Sequence, residues 1–260
     1  MHSSRTSPQH SSPPLSLLFS EPARAFVDFL GSHLQAARSE AGDGHTVIVY
    51  PGLGAGPWST TRLRAGLDAA GFHSLDWGFG NNHGPRGRPE VWLERLADAA
   101  ASASDEHGSK VSLVGWSLGG IYAREIARAV PASVRQVITL GSPFAAPPDA
   151  THAAWLYRLL SGSHPPRSGR YVEGLKEALP VPSTSIYSKA DGIVPWQGCM
   201  QEQGPLSENI EVPGVSHLGM GTNRSVLGLV TERLAQREGQ WARYRPRAPP
   251  DGPPAPEYSS

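Results

Sequence analysis

The chain has 260 residues, with 23 Lys+Arg set against 23 Asp+Glu, so its formal charge is zero. That balance excludes capture of nucleic acid or an anionic membrane through bulk charge, and the length suits one domain able to bury its own core. The single cysteine, Cys199, excludes an intrachain disulfide framework; it is compatible with a reducing compartment, and a cytoplasmic location is expected.

Residues 1–14 are rich in Ser, Pro and His and residues 245–260 in Pro, so both are expected to be disordered tails around a domain at 15–244. The apolar run near Leu15 is too short for a signal peptide. No run approaches the ~20 residues that span a bilayer.

A first helix is predicted over about Pro22–Ala37, capped by Ser20, with Phe26, Phe29, Leu30 and Leu34 at helical spacing. Such a face fits packing onto its own domain, the preferred reading, or lying on a membrane surface. His45–Tyr50 (HTVIVY) then forms a β-branched run ended by Pro51-Gly52, as suits a strand buried on both faces. Helical spacing resumes over Thr61–Ala70, and a short strand is predicted near Phe72–Trp77. Glu90–Ala103 reads as a helix, Lys110–Gly115 as a strand, Leu118–Val130 as a helix stopped by Pro131, and Val134–Leu140 as a strand. Thr184–Tyr187 and Asn209–Val212 are the last predicted strands, and Ser225–Arg237 the closing helix. Alternation of this kind predicts a doubly wound, mostly parallel α/β sheet of about six strands. One segment, about 144–182, breaks the rhythm with helical fragments at Trp155–Leu160 and Val172–Leu179, and is predicted to be a lid-like insertion.

Gly115-Trp116-Ser117-Leu118-Gly119 matches G-x-S-x-G. In a chain with 29 glycines the pattern alone can arise by chance; a strand directly before it and an amphipathic helix directly after make it specific. A serine exposed at a strand's carboxyl end needs the chain to reverse within one residue, pressing together the positions two before and two after. Gly115 and Gly119 remove the side chains there.

A serine hydroxyl needs a base to take its proton and a third group to orient that base. In chain order Ser, acid, His, Asp191 in SKADGIVP follows a predicted strand and is the preferred acid over Glu211, inside the last strand, and Asp149. An Asp-Gly pair is also a common structural turn; its place at a strand end favours the catalytic role. His217, in GVSHLGM, follows the last strand, whereas His152 and His164 fall in the insertion. Leu53 N–H in the loop PGLGAG, with Gly54 as alternate, and Leu118 N–H are the candidate oxyanion donors. That loop lacks the full phosphate-binding fingerprints. Trp116, Phe144 and Trp155 are candidate substrate contacts, with Trp77 and Phe79 near another strand end.

The segments PGLGAG, VSLVGWSLGGIYARE, VRQVITLGSPF, TSIYSKADGIVPW and VPGVSHLGM together resemble the α/β-hydrolase superfamily, in its bacterial esterase/lipase-like branch. The resemblance covers most of residues 45–237. It implies a central parallel sheet, hydrolysis of a carboxylic ester, no cofactor and no metal. It also puts Ser117, Asp191 and His217 in the nucleophile, acid and base positions. Tyr50-Pro51-Gly52 stands where many members carry His-Gly, and no strand pair in the first 44 residues supplies the antiparallel edge of larger members. The expected substrate is a small-molecule or lipid ester. A thioesterase, amidase or acyltransferase would use the same three residues, and a non-catalytic binding module could retain the fold.

Overall fold

A computed structural model describes residues 13–31, 42–145 and 174–246. Trp155, Asp149 and most of the 144–182 segment lie outside the described residues, as do most of both predicted tails. The strands are β1 (Thr46–Tyr50), β2 (His73–Asp76), β3 (Val111–Trp116), β4 (Val134–Leu140), β5 (Ser183–Tyr187) and β6 (Ser207–Glu211). The helices are α1 (Leu15–Gly31), α2 (Pro57–Ala69), α3 (Pro89–Glu106), α4 (Leu118–Ala129) and α5 (Arg224–Leu234). The six strands form one sheet in the order β2-β1-β3-β4-β5-β6, and every neighbouring pair is parallel.

The continuous apolar runs are explained by which side each residue faces. Along β1, Val47 and Val49 join one core while Ile48 and Tyr50 join the other; β3 divides Val114 and Trp116 from Val111 and Leu113 in the same way. Both faces of the sheet are therefore dry, and neither strand alternates with polar residues. Leu96 and Ala100 of α3 and Ile121 and Ile126 of α4 cover one face. Leu63 and Leu67 of α2 and Val226 and Val230 of α5 cover the other. Pro57 and Pro89 open α2 and α3, where the missing N–H has no helical partner to lose.

Strand order reverses at β1. From its carboxyl end the chain leaves to α2 on one face, and from the carboxyl end of β3 it leaves to α4 on the other. The divergence of the two loops marks the usual ligand position in open α/β sheets.

The first helix differs from its predicted span. It starts at Leu15, not near Pro22, and contains Pro22. The Leu17 and Leu18 N–H groups bond the Pro14 carbonyl, while Ser20 is no cap: its hydroxyl donates to Leu17 O at 3.0 Å inside the helix. Tertiary contact explains the early start. The backbone of Leu17 lies so close to Gly192 that any side chain there would overlap it, and Arg24 donates to Ala190 O at 2.6 Å. This end of the helix packs onto its own domain.

Candidate active site

Ser117 joins β3 to α4 with φ 53° and ψ −120°, the one positive φ among the described non-glycine residues. Such a conformation costs on the order of 1–3 kcal/mol and persists only where its surroundings impose it. Here Ser117 N–H donates to Leu140 O at 2.9 Å and Gly120 N–H to Ser117 O at 3.1 Å. Packing excludes other residues beside it. A Cβ on Gly115 would overlap the Gly119 carbonyl, one on Gly119 the Tyr50 carbonyl, and one on Gly120 the Ser142 hydroxyl.

Asp191 follows β5 and His217 follows β6, and the structure brings them together. His217 Nδ1 lies 2.7 Å from Asp191 Oδ2, with both side chains buried. The other carboxylate oxygen, Oδ1, accepts the N–H groups of Ile193 at 2.8 Å and Val194 at 2.7 Å, which fixes the acid's orientation. Gly141, at φ +53°, ends β4 against this pair; a Cβ there would stand 3.2 Å from both Asp191 Oδ2 and His217 Nδ1. Burial opposes the imidazolium, yet the Asp191 charge and hydrogen bond and the Glu21 charge outweigh it and raise the His217 pKa above its ordinary value.

No hydrogen bond among the described residues joins Ser117 Oγ to His217. Trp116 links the two turns instead. Its indole N–H donates to His217 O at 3.1 Å, and its ring lies 6.1 Å from the imidazole, centroid to centroid. Trp116, expected to contact substrate, is buried and packs against His217. Phe144, expected in the same wall, is fully buried with the Arg124 guanidinium 4.1 Å over its ring. It belongs to the core. Trp77 is likewise buried, stacked on Tyr122 with its N–H bonded to Gly80 O. Glu211 pairs with Lys189 at 2.7 Å, away from the imidazole's partner.

The loop after β1 lies against Ser117: a Cβ on Gly52 would stand 3.3 Å from Ser117 Cβ. Gly54 N–H donates to Asn82 O at 2.7 Å and Ala55 N–H to Gly52 O, which removes Gly54 as an oxyanion donor. Asn82, fully buried, also donates its side-chain amide to Pro51 O at 2.8 Å.

A second Ser-His-Asp set occupies the opposite end of the sheet. His45 stands 2.8 Å from Ser112 Oγ and 2.5 Å from Asp43 Oδ1. Hydrogen bonding alone would favour this set over Ser117. Yet Ser112 is fully buried inside β3, beside a register shift in its pairing with β4, with no turn at a strand's carboxyl end to expose it. Burial also pushes the His45 pKa down despite Asp43. This cluster pins the start of β1 to β3. A cavity of about 650 Å³ lies at the same amino end, lined in part by Lys110, Val134, Pro182 and Glu238, remote from Ser117.

Strand order, the turn at Ser117 and the His217–Asp191 pair at neighbouring strand ends match the α/β-hydrolase architecture, and the chain belongs to the alpha/beta hydrolase family, whose profile matches residues 46–256. Among individual proteins, it is 36% identical over 118 residues to a pimeloyl-(acyl-carrier protein) methyl ester esterase of Proteus mirabilis (strain HI4320), a match spanning 44% of this chain and 41% of that protein. Its fold is similar to that of Aspergillus fumigatus lipase B, with a TM-score of 0.59 at 17% identity over 79% of this chain and 56% of the lipase. It is also similar to a Paleococcus ferrophilus monoacylglycerol lipase, with a TM-score of 0.54 at 18% identity over 76% of this chain and 95% of the other. No described helix is long and apolar enough to cross a membrane.

Proposed function

We propose that this hydrolase cleaves carboxylic esters through an acyl-enzyme on Ser117. Ser117 Oγ attacks the ester carbonyl, His217 takes its proton and returns it to the leaving alcohol, and Asp191 holds the imidazole in the required tautomer. The Leu53 and Leu118 N–H groups receive the oxyanion, helped by the positive end of α4. Water then repeats the sequence on the acyl-enzyme. The contact between serine and imidazole tightens when substrate binds, as is common where the free enzyme holds it long.

The observation that carries this reading is the strained Ser117 at a strand end, alongside the 2.7 Å His217–Asp191 pair on neighbouring strand ends. Two exposed apolar side chains favour an ester with an apolar portion. Trp58, the second residue of α2, is 72% exposed, and Leu218, directly after His217, is 40% exposed.

The test is hydrolysis of p-nitrophenyl esters of increasing acyl length, together with labelling by a fluorophosphonate and mass mapping of the modified residue. Ser117→Ala should lower kcat by roughly 10⁶-fold and abolish labelling. Wild-type turnover in that variant, or labelling elsewhere, would sink the assignment. Parallel assays with acyl thioesters and alcohol acceptors establish the leaving group and the acceptor.

A further inference from the structure

α1 carries a carboxylate, Glu21, that is 2% exposed. Glu21 Oε1 accepts the Gly192 N–H at 2.7 Å and the His217 N–H at 3.0 Å, and Oε2 accepts the Leu218 N–H at 3.2 Å. Arg24, one turn further along, places Nη2 3.0 Å from Glu21 Oε1 and donates from Nη1 to Ala190 O at 2.6 Å. The two side chains thus grip the backbone on both sides of Asp191, and at His217 and the residue after it. Every group directed at Glu21 is a donor, as suits an ionised carboxylate that only accepts.

We propose that Glu21, held by Arg24, is a positioning residue that sets the turn carrying Asp191 in register with the turn carrying His217. The proposal rests on the reading of those two residues as acid and base. The two turns follow different strands, and the Asp191–His217 hydrogen bond joins their side chains. A side-chain bond alone leaves each backbone free to shift, and shifts on the order of 1 Å can cost about 10²-fold in rate. Glu21 supplies a shared backbone anchor. It also supplies charge. The charged groups facing the imidazole are Asp191 and Glu21, with Arg24 behind Glu21; Trp116 packs against the ring, and the Cys199 thiol, kept neutral by burial, faces Asp191.

The test compares Glu21→Gln and Glu21→Ala in the full chain. Glu21→Gln keeps an acceptor of the same shape and loses the charge; Glu21→Ala loses both. With p-nitrophenyl ester, kcat should fall roughly tenfold in the first and roughly 10²-fold in the second, with KM little changed. The His217 ring titration, followed by NMR and assigned by its loss in His217→Gln, should move to lower pH in Glu21→Gln. An anchor with no catalytic consequence would lower Tm and move neither kcat nor the titration. A folded Glu21→Gln protein with wild-type kcat and an unmoved titration overturns the proposal; this variant decides the matter if Glu21→Ala fails to fold. Should the wild type hydrolyse no ester while the titration still moves in Glu21→Gln, the ester reading falls and the anchor stands.

Discussion

Two histidines in this fold bond to an aspartate, and their surroundings drive them in opposite directions. At His45 burial prevails and the pKa falls, even with Asp43 at 2.5 Å, because Arg135 also faces the ring. At His217 burial is again the largest influence, but two carboxylates oppose it, Asp191 by charge and hydrogen bond and Glu21 by charge, and the pKa rises above 6.5. A base must be neutral to accept the Ser117 proton, so the rate should climb as pH passes this raised value. The acid limb of kcat/KM is therefore expected to have its midpoint above 6.5, measurable from a pH–rate profile with p-nitrophenyl acetate. Asp191→Asn should move that limb to lower pH and reduce kcat by roughly 10⁴-fold, since an amide cannot hold the imidazole in the working tautomer. A wild-type limb centred below 6.5 would mean that burial outweighs the two carboxylates at His217. Stability carries the matching sign: the contribution of protonated His217 is complete below 6.5 and is lost as pH rises through its folded value.

At the scale of elements, the site is built by loops that brace one another. The loop after β2 holds the loop after β1 through Asn82, which bonds Pro51 O, accepts from Gly54 N–H and donates its own N–H to Ala55 O. Asn82→Ala removes only the side-chain bonds and leaves Pro51 O buried without that donor. The expected result is a loss of about 1–3 kcal/mol in urea unfolding, together with a kcat reduced on the order of tenfold as the Leu53 N–H loses its fixed aim. Unchanged kcat with reduced stability would confine Asn82 to a structural role. The strands and the elbow were legible in the sequence because their causes are local: β1 and β3 are buried on both faces, and the elbow's glycines meet atoms within a few residues or on the adjoining strand. Asn82, Glu21 and Gly141 were not legible, since each acts on a partner distant in sequence; Glu21 lies 196 residues from His217. The start of α1 was missed for the same reason, because its first turns depend on packing at Gly192. Trp116 and Phe144, read from the sequence as substrate contacts, are buried. An apolar aromatic beside a catalytic turn can face substrate or core, and composition does not distinguish the two.

For the molecule as a whole, the nucleophile's helix must be tied to the chain that returns to β5, and a buried cation does this. Arg124 of α4 is 1% exposed and has no carboxylate at its head; it donates to Leu175 O at 3.1 Å, to Gln201 Oε1 at 2.6 Å and to Glu177 O at 2.7 Å. Phe144 covers the guanidinium face. Burial pushes the group down to about 9, which still leaves it charged at neutral pH. Gln201 extends the connection, accepting from Ser183 at the start of β5 and donating to Glu208 O in β6. Arg124→Met fills much of the volume and removes every donor. Arg128 also bonds Leu175 O and Glu177 O, so those carbonyls keep a partner and the loss is tempered. The expected cost is about 2–4 kcal/mol, which for a domain of this size lowers Tm by roughly 5–15 °C. Arg124→Lys should recover little of it, because an ammonium cannot reproduce the planar fork. Ser117 lies about 10 Å along the helix axis from Arg124, so kcat at 25 °C should stay near wild type while thermal inactivation accelerates. Calorimetry paired with initial rates separates these effects. An unchanged Tm in Arg124→Met would mean that the cost of burying the cation cancels its bonds, and that α4 is anchored by apolar packing alone.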